Sequence, residues 1–457
     1  MITAAGSSLF HSPHQLIVGN SPLVGVLDLP GNIKRPPIRL FFPATTTTTT
    51  CRLPPAKYFV NNRVAYVLQG FAHIVLARHT TKVFRFILRP LLWLVSLIFP
   101  ARFLIIPDTV HVRKDNVDLV KYVSPPELSM DNNDSSKNTN TKTKKNKSTQ
   151  SLVMFSHGLT GTGEENSIFC TSLAKRGHVV ASIHHRDGSS SRVPLADGTC
   201  LYYKHLPTGD EYNPHDRLEQ VHFRAQELLY ATSWMMGEVE EEEEETIGNK
   251  NDDISASQVI LNGIRSHLSK DNIIASGFSY GSATVALAST LQSQRYKCAI
   301  LLDPWLHIDY SSKGYEFDFP PEAFGKPWPS KNDGTTGDDV DDSSSLKKKN
   351  GGRGLNIPSI FINSSQFAGY TKLYGATCRL ADIINNSQSN NKSSNDDDEH
   401  PRAEMHVIEC TTHQNFCDTI FWLPRRIAKK IFGLGDANAY DAYESILNLT
   451  NKFLDRF

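Results

Sequence analysis

Residues 274–285 read Ile-Ala-Ser-Gly-Phe-Ser-Tyr-Gly-Ser-Ala-Thr-Val, and this stretch decides the fold. Within it, Gly277, Ser279 and Gly281 form a G-x-S-x-G pattern. A β-branched apolar stretch precedes the pattern and a helix-compatible stretch follows it, which is the context of a nucleophile elbow. The pattern therefore predicts a serine at the end of a strand and at a helix N-terminus, where developing negative charge is favoured. An ordinary glycine-bounded β–α turn is the alternative.

The composition indicates a large globular protein and argues against a nucleic-acid partner. The chain has 457 residues, enough for one large α/β domain or two smaller ones. Its 48 Lys and Arg residues balance its 48 Asp and Glu residues. The basic residues fall mainly in polar inserts without interleaved aromatic residues, so nucleic-acid binding is not expected. The seven cysteines are widely scattered, which suits mostly buried, reduced thiols. No Cys, His or carboxylate spacing supports a metal site, and none is expected.

Four polar, low-complexity tracts interrupt the chain. They contain too little apolar surface to offset the entropy of ordering, so they are predicted to be solvated loops. They occupy residues 127–150, 238–253, 330–354 and 385–401. With these inserts set aside, residues 21–457 are predicted to form one domain, preceded by an extension over residues 1–20.

One apolar segment, residues 83–106, raises the question of membrane contact. Its continuous apolar run is too short to span a bilayer. Two alternatives stay open: an interfacial patch with Trp93 and Phe99 in the headgroup region, or a segment buried in the core. Residues 1–30 contain no apolar core of signal-peptide length. This favours an intracellular location, with membrane association left open.

Outside the inserts, predicted strands and helices alternate. Strands are predicted over residues 152–155, 179–183, 272–275, 298–302, 359–363 and 405–409, and helices over residues 166–176, 216–235 and most of the tail from 420. Gly177 is predicted to cap the C-terminus of the first of these helices. This alternation predicts an α/β fold with a mostly parallel central sheet flanked by helices. Ligand sites in such sheets lie at the C-terminal ends of the strands. Four of these ends carry polar, chemically capable side chains: His157, Ser279, Asp303 and His413.

Three of these residues have the chain order of the α/β-hydrolase triad, with Ser279 as nucleophile, Asp303 as acid and His413 as base. A serine hydroxyl needs an adjacent base to take its proton. Imidazole, with an ordinary pKa of about 6.5, can take it, and a carboxylate fixes the imidazole tautomer. Asp418 is a competing acid. His157 is a competing base, with loop shaping as its alternative role.

Two backbone amides are predicted to stabilise an oxyanion. One is the N–H of Tyr280, which follows the serine, and the other is the N–H of Leu159 in the loop after the first core strand. The glycines of that loop permit close backbone approach. Beside it, Arg186 and Asp187 are expected to pair with each other and to brace the loop.

Several motifs, taken in order, resemble the plasma-type platelet-activating factor acetylhydrolases, the group VII phospholipases A2. The motifs are Ser-His-Gly-Leu near 156, His-Arg-Asp at 185–187, Gly-Phe-Ser-Tyr-Gly-Ser-Ala-Thr-Val at 277–285, Leu-Asp-Pro-Trp at 302–305, Ile-Pro-Ser-Ile-Phe-Ile-Asn-Ser at 357–364 and His-Gln-Asn-Phe-Cys-Asp at 413–418. The resemblance runs from about Val24 to the C-terminus. It implies an α/β-hydrolase fold and the hydrolysis of the sn-2 ester of phospholipids, without calcium or any cofactor. Acetyl or oxidatively truncated acyl groups would be preferred.

The resemblance also assigns roles and partners. It implies Ser279 as nucleophile, Asp303 as acid and His413 as base, with the Leu159 and Tyr280 amides as oxyanion donors. A phospholipid is the implied partner. Family members reach it through apolar surface helices, and this favours membrane contact by the apolar segment described above.

Two departures from the family pattern lie in the serine turn. Phe278 stands where the family usually has histidine, and Ser282 stands where it usually has a second glycine. Both are expected to reshape the acyl pocket. Two other functions remain open: a general carboxylesterase or polyester-type hydrolase of the same fold, and a non-catalytic lipid-binding protein.

Overall fold

A central β-sheet organises the part of the chain that the structure describes. The computed structural model covers residues 23–46, 53–59, 105–113, 116–123, 150–206, 216–239, 251–292, 294–308, 357–389, 402–422 and 433–457, with the single residues 70, 90, 213, 426, 429 and 430. Its sheet strands are β1 (Leu23–Leu29), β2 (Ile38–Thr46), β3 (Thr109–His111), β4 (Val120–Tyr122), β5 (Gln150–Ser156), β6 (Val179–Ile183), β9 (Leu268–Phe278), β10 (Cys298–Leu302), β11 (Ser359–Ser364) and β12 (Ala403–Ile408). A separate antiparallel pair consists of β7 (Arg192–Pro194) and β8 (Cys200–Tyr202).

The sheet has a parallel half and a mixed half. Its order is β12-β11-β10-β9-β5-β6-β2-β1-β3, and β4 pairs with β2. From β12 to β6 every neighbouring pair is parallel. Strand β2 runs antiparallel to β6, β1 and β4. The mostly parallel sheet predicted from the alternation of elements is therefore confirmed, and the opening strands add an antiparallel extension to it.

Helices cover both faces of the sheet. They are α1 (Ser167–Lys175), α2 (Leu218–Met235), α3 (Asn251–Arg265), α4 (Tyr280–Leu291), α5 (Ser365–Ala368), α6 (Thr371–Ser389), α7 (Thr419–Trp422) and α8 (Ala439–Leu454). Strand β5 shows why two layers form, because successive side chains point to opposite faces. Leu152 and Met154 join the cluster that includes α2, α3, α4 and α6, whereas Val153 and Phe155 join the cluster of α1, α7 and α8.

The end of α1 was foreseen from its glycine. Gly177 has φ of 106°, a left-handed conformation that suits glycine. Its N–H donates to the Ala174 carbonyl, and the N–H of His178 donates to the Leu173 carbonyl. These two bonds form a Schellman motif, which satisfies carbonyls that the helix leaves unpaired. The chain then turns directly into β6, as the predicted C-cap required.

The predicted insert loops are too long at three places. Gln150 already belongs to β5, where it pairs with β9. Residues 251–253 form the first turn of α3, whose later apolar residues are buried. Helix α6 continues to residue 389 because Asn385 is fixed to β12: its amide group donates to the Ala403 carbonyl and accepts from the Ala403 N–H. Residues 127–149, 240–250, 330–354 and 390–401 lie outside the described residues.

The first residue of the loop predicted at 238–253, Glu238, is not freely solvated, because two cations hold its side chain. Its carboxylate accepts a hydrogen bond from Arg295 at 2.6 Å and lies 3.1 Å from the Lys270 amine. The hydrogen bond from Arg295 is the main cause that lowers the pKa of Glu238 to about 2. The acidic tract therefore begins at an anchored residue.

The two aromatic residues proposed for membrane contact, Trp93 and Phe99, lie outside the described residues. Of the surrounding segment the structure describes residues 90, 105 and 106, and Ile106 is fully buried in the core. Within the described ranges, no helix combines the length and the apolar character needed to cross a bilayer. Membrane contact by this segment stays a prediction.

The described cysteines are all unpaired but are not mostly buried. Cys170, Cys298 and Cys417 are buried, whereas Cys200 and Cys378 are half-buried and Cys410 is exposed. Burial raises the pKa of the Cys298 and Cys417 thiols to about 12. These two thiols are therefore core residues rather than reactive groups.

We expect the buried imidazole of His178 to make the stability depend on pH. Burial, reinforced by the Arg176 charge, lowers the pKa of His178 from 6.5 to about 4. The neutral His178 imidazole contributes fully to the free energy of unfolding above about pH 6.5. This contribution is lost as the pH falls towards the folded-state pKa. The advantage of the wild type over His178→Gln in free energy of unfolding should therefore shrink by about 2 kcal/mol between about pH 7.5 and about pH 5. Urea denaturation at the two pH values measures it.

The control for this test is Leu173→Ala, which removes a buried side chain that does not titrate. Its cost should be the same at both pH values. An equally constant cost for His178→Gln would contradict the assignment of a suppressed imidazole pKa.

Candidate active site

The serine turn is as tight as its sequence predicted. Ser279 lies between β9 and α4 with φ of 55° and ψ of −121°, a strained conformation for a residue with a side chain. A Cβ on Gly277 would come within 2.7 Å of the Ser282 nitrogen, and one on Gly281 within 2.7 Å of the His157 carbonyl oxygen. Both positions therefore require glycine, and the turn has the backbone geometry of a nucleophile elbow.

Ser282 does not have the role in an acyl pocket that we expected. Its side chain is fully buried, and its hydroxyl donates a 2.7 Å hydrogen bond to the Gly277 carbonyl across the turn. The expectation that this departure reshapes an acyl pocket is wrong, because the hydroxyl is used inside the elbow. Ser282 instead ties the first turn of α4 to the end of β9.

Asp303 is held rigidly at the end of β10. It has φ of 44°, and its N–H donates to the Ile362 carbonyl at 2.7 Å. Its carboxylate is completely buried and accepts two bonds from Ser364: the backbone N–H at 2.7 Å and the hydroxyl at 2.8 Å. Strand β11 thus supplies two donors that orient the carboxylate. One oxygen is shared with a third partner.

That third partner is His413, which is 110 positions away in the sequence. Its Nδ1 lies 2.6 Å from Asp303 Oδ2. His413 begins a short 3-10 helix, His413–Phe416, whose start is stabilised by a reciprocal capping box between Thr412 and Asn415. The imidazole is 20% exposed and lies between two aromatic rings. The structure therefore brings together the predicted acid and the predicted base.

The serine hydroxyl forms no hydrogen bond with another residue of the described ranges. The rings of His413 and Phe278 nevertheless stack with centroids 4.7 Å apart, and Phe278 directly precedes the serine. The bond between serine and histidine in hydrolases is often long until substrate binds. The stacking therefore brings the imidazole against the residue that precedes the serine.

The predicted oxyanion loop lies against the serine. A Cβ on Gly158 would be 3.3 Å from Ser279 Cβ, so this backbone runs alongside the serine side chain. Thr160 is in the left-handed region at φ of 61°, and its N–H donates to the Ser189 carbonyl. Among the described contacts, the N–H groups of Leu159 and Tyr280 donate to no acceptor. They remain candidates for holding an oxyanion.

Arg224 fixes this loop, and sequence reasoning did not single it out as a functional residue. Its guanidinium donates to the His157 carbonyl at 2.8 Å and to the Gly158 carbonyl at 3.4 Å. It also lies 4.8 Å from the centre of the Tyr280 ring. A fully buried arginine therefore joins the two segments that carry the candidate amides. Its signal in the sequence was a charge on the apolar stripe of a helix, where arginine is rare without a partner.

The expected pair between Arg186 and Asp187 is wrong. Asp187 lies 3.2 Å from Arg224, and Arg186 donates at 2.7 Å to Glu227 instead. Both partners come from α2, which packs beside the loop and carries Arg224 and Glu227 three residues apart. His185 also contacts Glu227, at 3.0 Å. Two parallel pairs, rather than one local pair, brace the loop.

The two competing candidates have structural contacts. His157 Nδ1 donates to the Gly158 carbonyl at 2.7 Å, and burial lowers the pKa of His157 well below its ordinary value. Asp418 accepts at 2.8 Å from both the Ile168 N–H and the Tyr443 hydroxyl. His157 therefore shapes the loop, and Asp418 caps α1 from 250 residues away. Within the described ranges, no group of three or more His, Cys, Asp or Glu side chains is placed to hold a metal ion.

Comparison with a solved structure identifies the type of fold. The chain is similar to a ferulic acid esterase from Streptomyces cinnamoneus, with a TM-score of 0.50 and 14% identity, over 96% of this chain and 92% of that one. At this identity the likeness concerns the fold alone. Together with the mostly parallel sheet and the serine elbow, it shows that the chain has the α/β-hydrolase fold.

Sequence comparison finds a family that resembles the middle part of the chain. The model of the family described as platelet-activating factor acetylhydrolase, isoform II, matches residues 113–312. The chain is also 30% identical to a platelet-activating factor acetylhydrolase of Canis lupus familiaris over 164 residues, 34% of this chain and 35% of that protein. A relative from Gallus gallus is 30% identical over 171 residues, 34% and 38% of the two chains. The matches thus span about a third of the curated relatives. The resemblance to the platelet-activating factor acetylhydrolase family is confirmed over residues 113–312, which include Ser279 and Asp303.

We expect the elbow to depend on the absence of a side chain at position 281. Gly281→Ala would press a methyl group into the backbone of Ser156 and His157 and displace Ser279. Because a displacement of about 1 Å can cost about 100-fold in reactivity, labelling of Ser279 by a fluorophosphonate probe should slow by at least about that factor. The matched control is Gly263→Ala in α3, where a new Cβ would meet nothing within 4 Å. Equal labelling of Gly281→Ala and the control would contradict the account.

Proposed function

We propose that this protein is a serine esterase that hydrolyses the sn-2 ester of phospholipids carrying acetyl, short or oxidised acyl groups. The observation that carries the proposal is the 2.6 Å contact between His413 Nδ1 and the buried carboxylate of Asp303, formed beside the strained Ser279 turn. An acid, a base and a serine in this arrangement support acyl transfer.

The first half-reaction uses the free nitrogen of the imidazole. Because Asp303 holds the Nδ1–H tautomer, Nε2 of His413 is the acceptor. It takes the Ser279 proton as Oγ bonds to the sn-2 carbonyl carbon. The imidazolium then gives this proton to the departing glycerol oxygen, so the ester bond breaks, lyso-phospholipid leaves and an acyl-serine remains.

The second half-reaction returns the enzyme to its starting state. His413 takes a proton from water, and the resulting hydroxide attacks the acyl-serine carbonyl. Collapse of the tetrahedral intermediate expels Ser279 Oγ, which regains a proton from the imidazolium, and the carboxylic acid is released. In both halves the Leu159 and Tyr280 amides hold the oxyanion. Removal of one such donor in a serine hydrolase costs about 100- to 1,000-fold in rate.

The substrate class rests on the family resemblance. The curated relatives are named as platelet-activating factor acetylhydrolases, and the stretch that the family model matches includes the serine and the acid. The full series of motifs extends the likeness to His413. Nothing in this serine mechanism requires calcium or a cofactor, since the chain itself supplies the base and the oxyanion donors.

Ser279→Ala should abolish hydrolysis of an acetyl-ester phospholipid while the protein stays folded. Loss of the nucleophile leaves at most the small catalysis provided by binding and the oxyanion donors. The measurement is release of acetate by purified protein, with circular dichroism as the check of folding. Ser289→Ala, a buried serine on the same helix, should keep full activity. Undiminished turnover by Ser279→Ala would rule out the assignment.

Acyl-chain profiling separates the phospholipid proposal from a general esterase. Rates should be highest for acetyl phospholipid and fall steeply with unmodified chain length, with EDTA present throughout and without effect. An enzyme that prefers soluble aryl acetates over every phospholipid would be a general carboxylesterase. Folded protein that neither turns over an ester nor reacts with a fluorophosphonate would instead be a non-catalytic lipid binder.

A further inference from the structure

The imidazole of His413 is clamped between two phenylalanine rings, Phe278 and Phe367, which we name the aromatic clamp. The Phe367 ring lies 4.2 Å from the imidazole centroid at an interplanar angle of 8°. The Phe278 ring lies 4.7 Å from the imidazole centroid at 22°. Because two rings stacked this closely would overlap if they shared one face, the two phenylalanines lie on opposite faces of the imidazole. Both contacts are stacked, so the clamp constrains the plane of the imidazole ring.

A clamp is needed because the hydrogen bond to the acid fixes only one atom of the ring. The bond between Nδ1 and Asp303 leaves the imidazole free to tilt about that point, and each tilt moves Nε2 away from the serine. The ring is 20% exposed, so the core alone does not hold it. Two parallel aromatic faces restrict the tilt that the hydrogen bond permits.

Each ring of the clamp comes from a segment that is itself fixed by the site. Phe278 is the last residue of β9 and is 5% exposed, and a Cβ added at Gly158 in the oxyanion loop would lie 3.2 Å from its ring. Phe367 lies in α5, whose first turn begins at Ser364, the donor to the Asp303 carboxylate. The clamp therefore joins the nucleophile strand, the oxyanion loop and the acid to one imidazole.

The turn from β11 into α5 also holds the backbone of the segment that carries His413. Gln366 Oε1 accepts a 2.9 Å hydrogen bond from the His413 N–H, which fixes the backbone of the base. Ser365 and Thr411 exchange two further bonds: the serine hydroxyl donates to the Thr411 carbonyl and accepts from the Thr411 N–H. Four consecutive residues, Ser364 to Phe367, thus touch either the acid or the segment that carries the base.

We propose that Phe278 and Phe367 are positioning residues that hold the plane of the His413 imidazole, so that Nε2 meets the Ser279 hydroxyl. The proposal rests on the proposed function. Aromatic faces also attract cations, and the imidazole becomes an imidazolium in each half-reaction. The clamp therefore favours the charged ring of the transition state over the neutral ring of the ground state, and this difference acts on kcat. Phenylalanine offers this face without a group that could compete for the proton.

The role predicted for Phe278 is thereby different from the pocket role expected from the sequence. A residue that shapes an acyl pocket would change the preference for chain length. A residue that orients the base would lower the rate for every acyl group by a similar factor. The two roles can be separated by one set of variants.

The test measures kcat and KM for acetyl and longer-chain phospholipids with Phe278→Leu and Phe367→Leu. We expect kcat to fall about 10-fold for each variant and for every acyl chain, with KM within about twofold of the wild type. The rate of fluorophosphonate labelling should fall in parallel, because it too needs the base. Phe367→Tyr, which restores an aromatic face, should recover most of the activity.

The control is Phe42→Leu, which removes a buried ring from β2, three strands from β9. It should lower thermal stability as much as the clamp variants do but leave kcat unchanged. Equal activity of wild type and Phe367→Leu, or a change confined to chain-length preference, would overturn the clamp while leaving the esterase assignment intact. Inactive wild type would instead overturn the proposed function.

Discussion

The close approach of α4 to the end of β5 is the constraint on which the candidate site depends. Gly281 meets the backbone of Ser156 and His157 with no room for a side chain. This contact fixes the serine turn against the loop that follows β5. One packing contact therefore determines the relative positions of Ser279 and the candidate oxyanion amides. Every other group of the site is positioned relative to this elbow, by residues that arrive from β10, β11 and the segment after β12.

The sequence was sufficient wherever the signal was local. The elbow, the Gly177 cap and the parallel half of the sheet depend on residues within a few positions of each other, and all three predictions are confirmed. The strand-end rule then placed Asp303 and His413 at one edge of the sheet, because parallel strands end together. Their contact was foreseeable from topology, although 110 residues separate them.

The remaining features depend on long-range partners that no local pattern reveals. Arg186 and Asp187 are neighbours in the sequence, yet each pairs with a different residue of α2. Asp418 resembled a catalytic acid but serves the N-terminus of α1. Phe278 was expected to shape a pocket, and its ring stacks on the imidazole of His413. In each case the residue type fitted several environments, and only the packing of distant segments selected one.

The central claim is that Ser279 carries the acyl group, and trapping of the acyl-enzyme tests it most directly. Purified protein would be mixed with a slowly hydrolysed acetyl ester, quenched in acid and digested, and the peptide that contains residues 274–285 analysed by mass spectrometry. The account predicts one added acetyl group, on Ser279, which disappears on further incubation before the quench. An unmodified Ser279 in protein that is turning over ester, or a stable acetyl group on another residue, would contradict it.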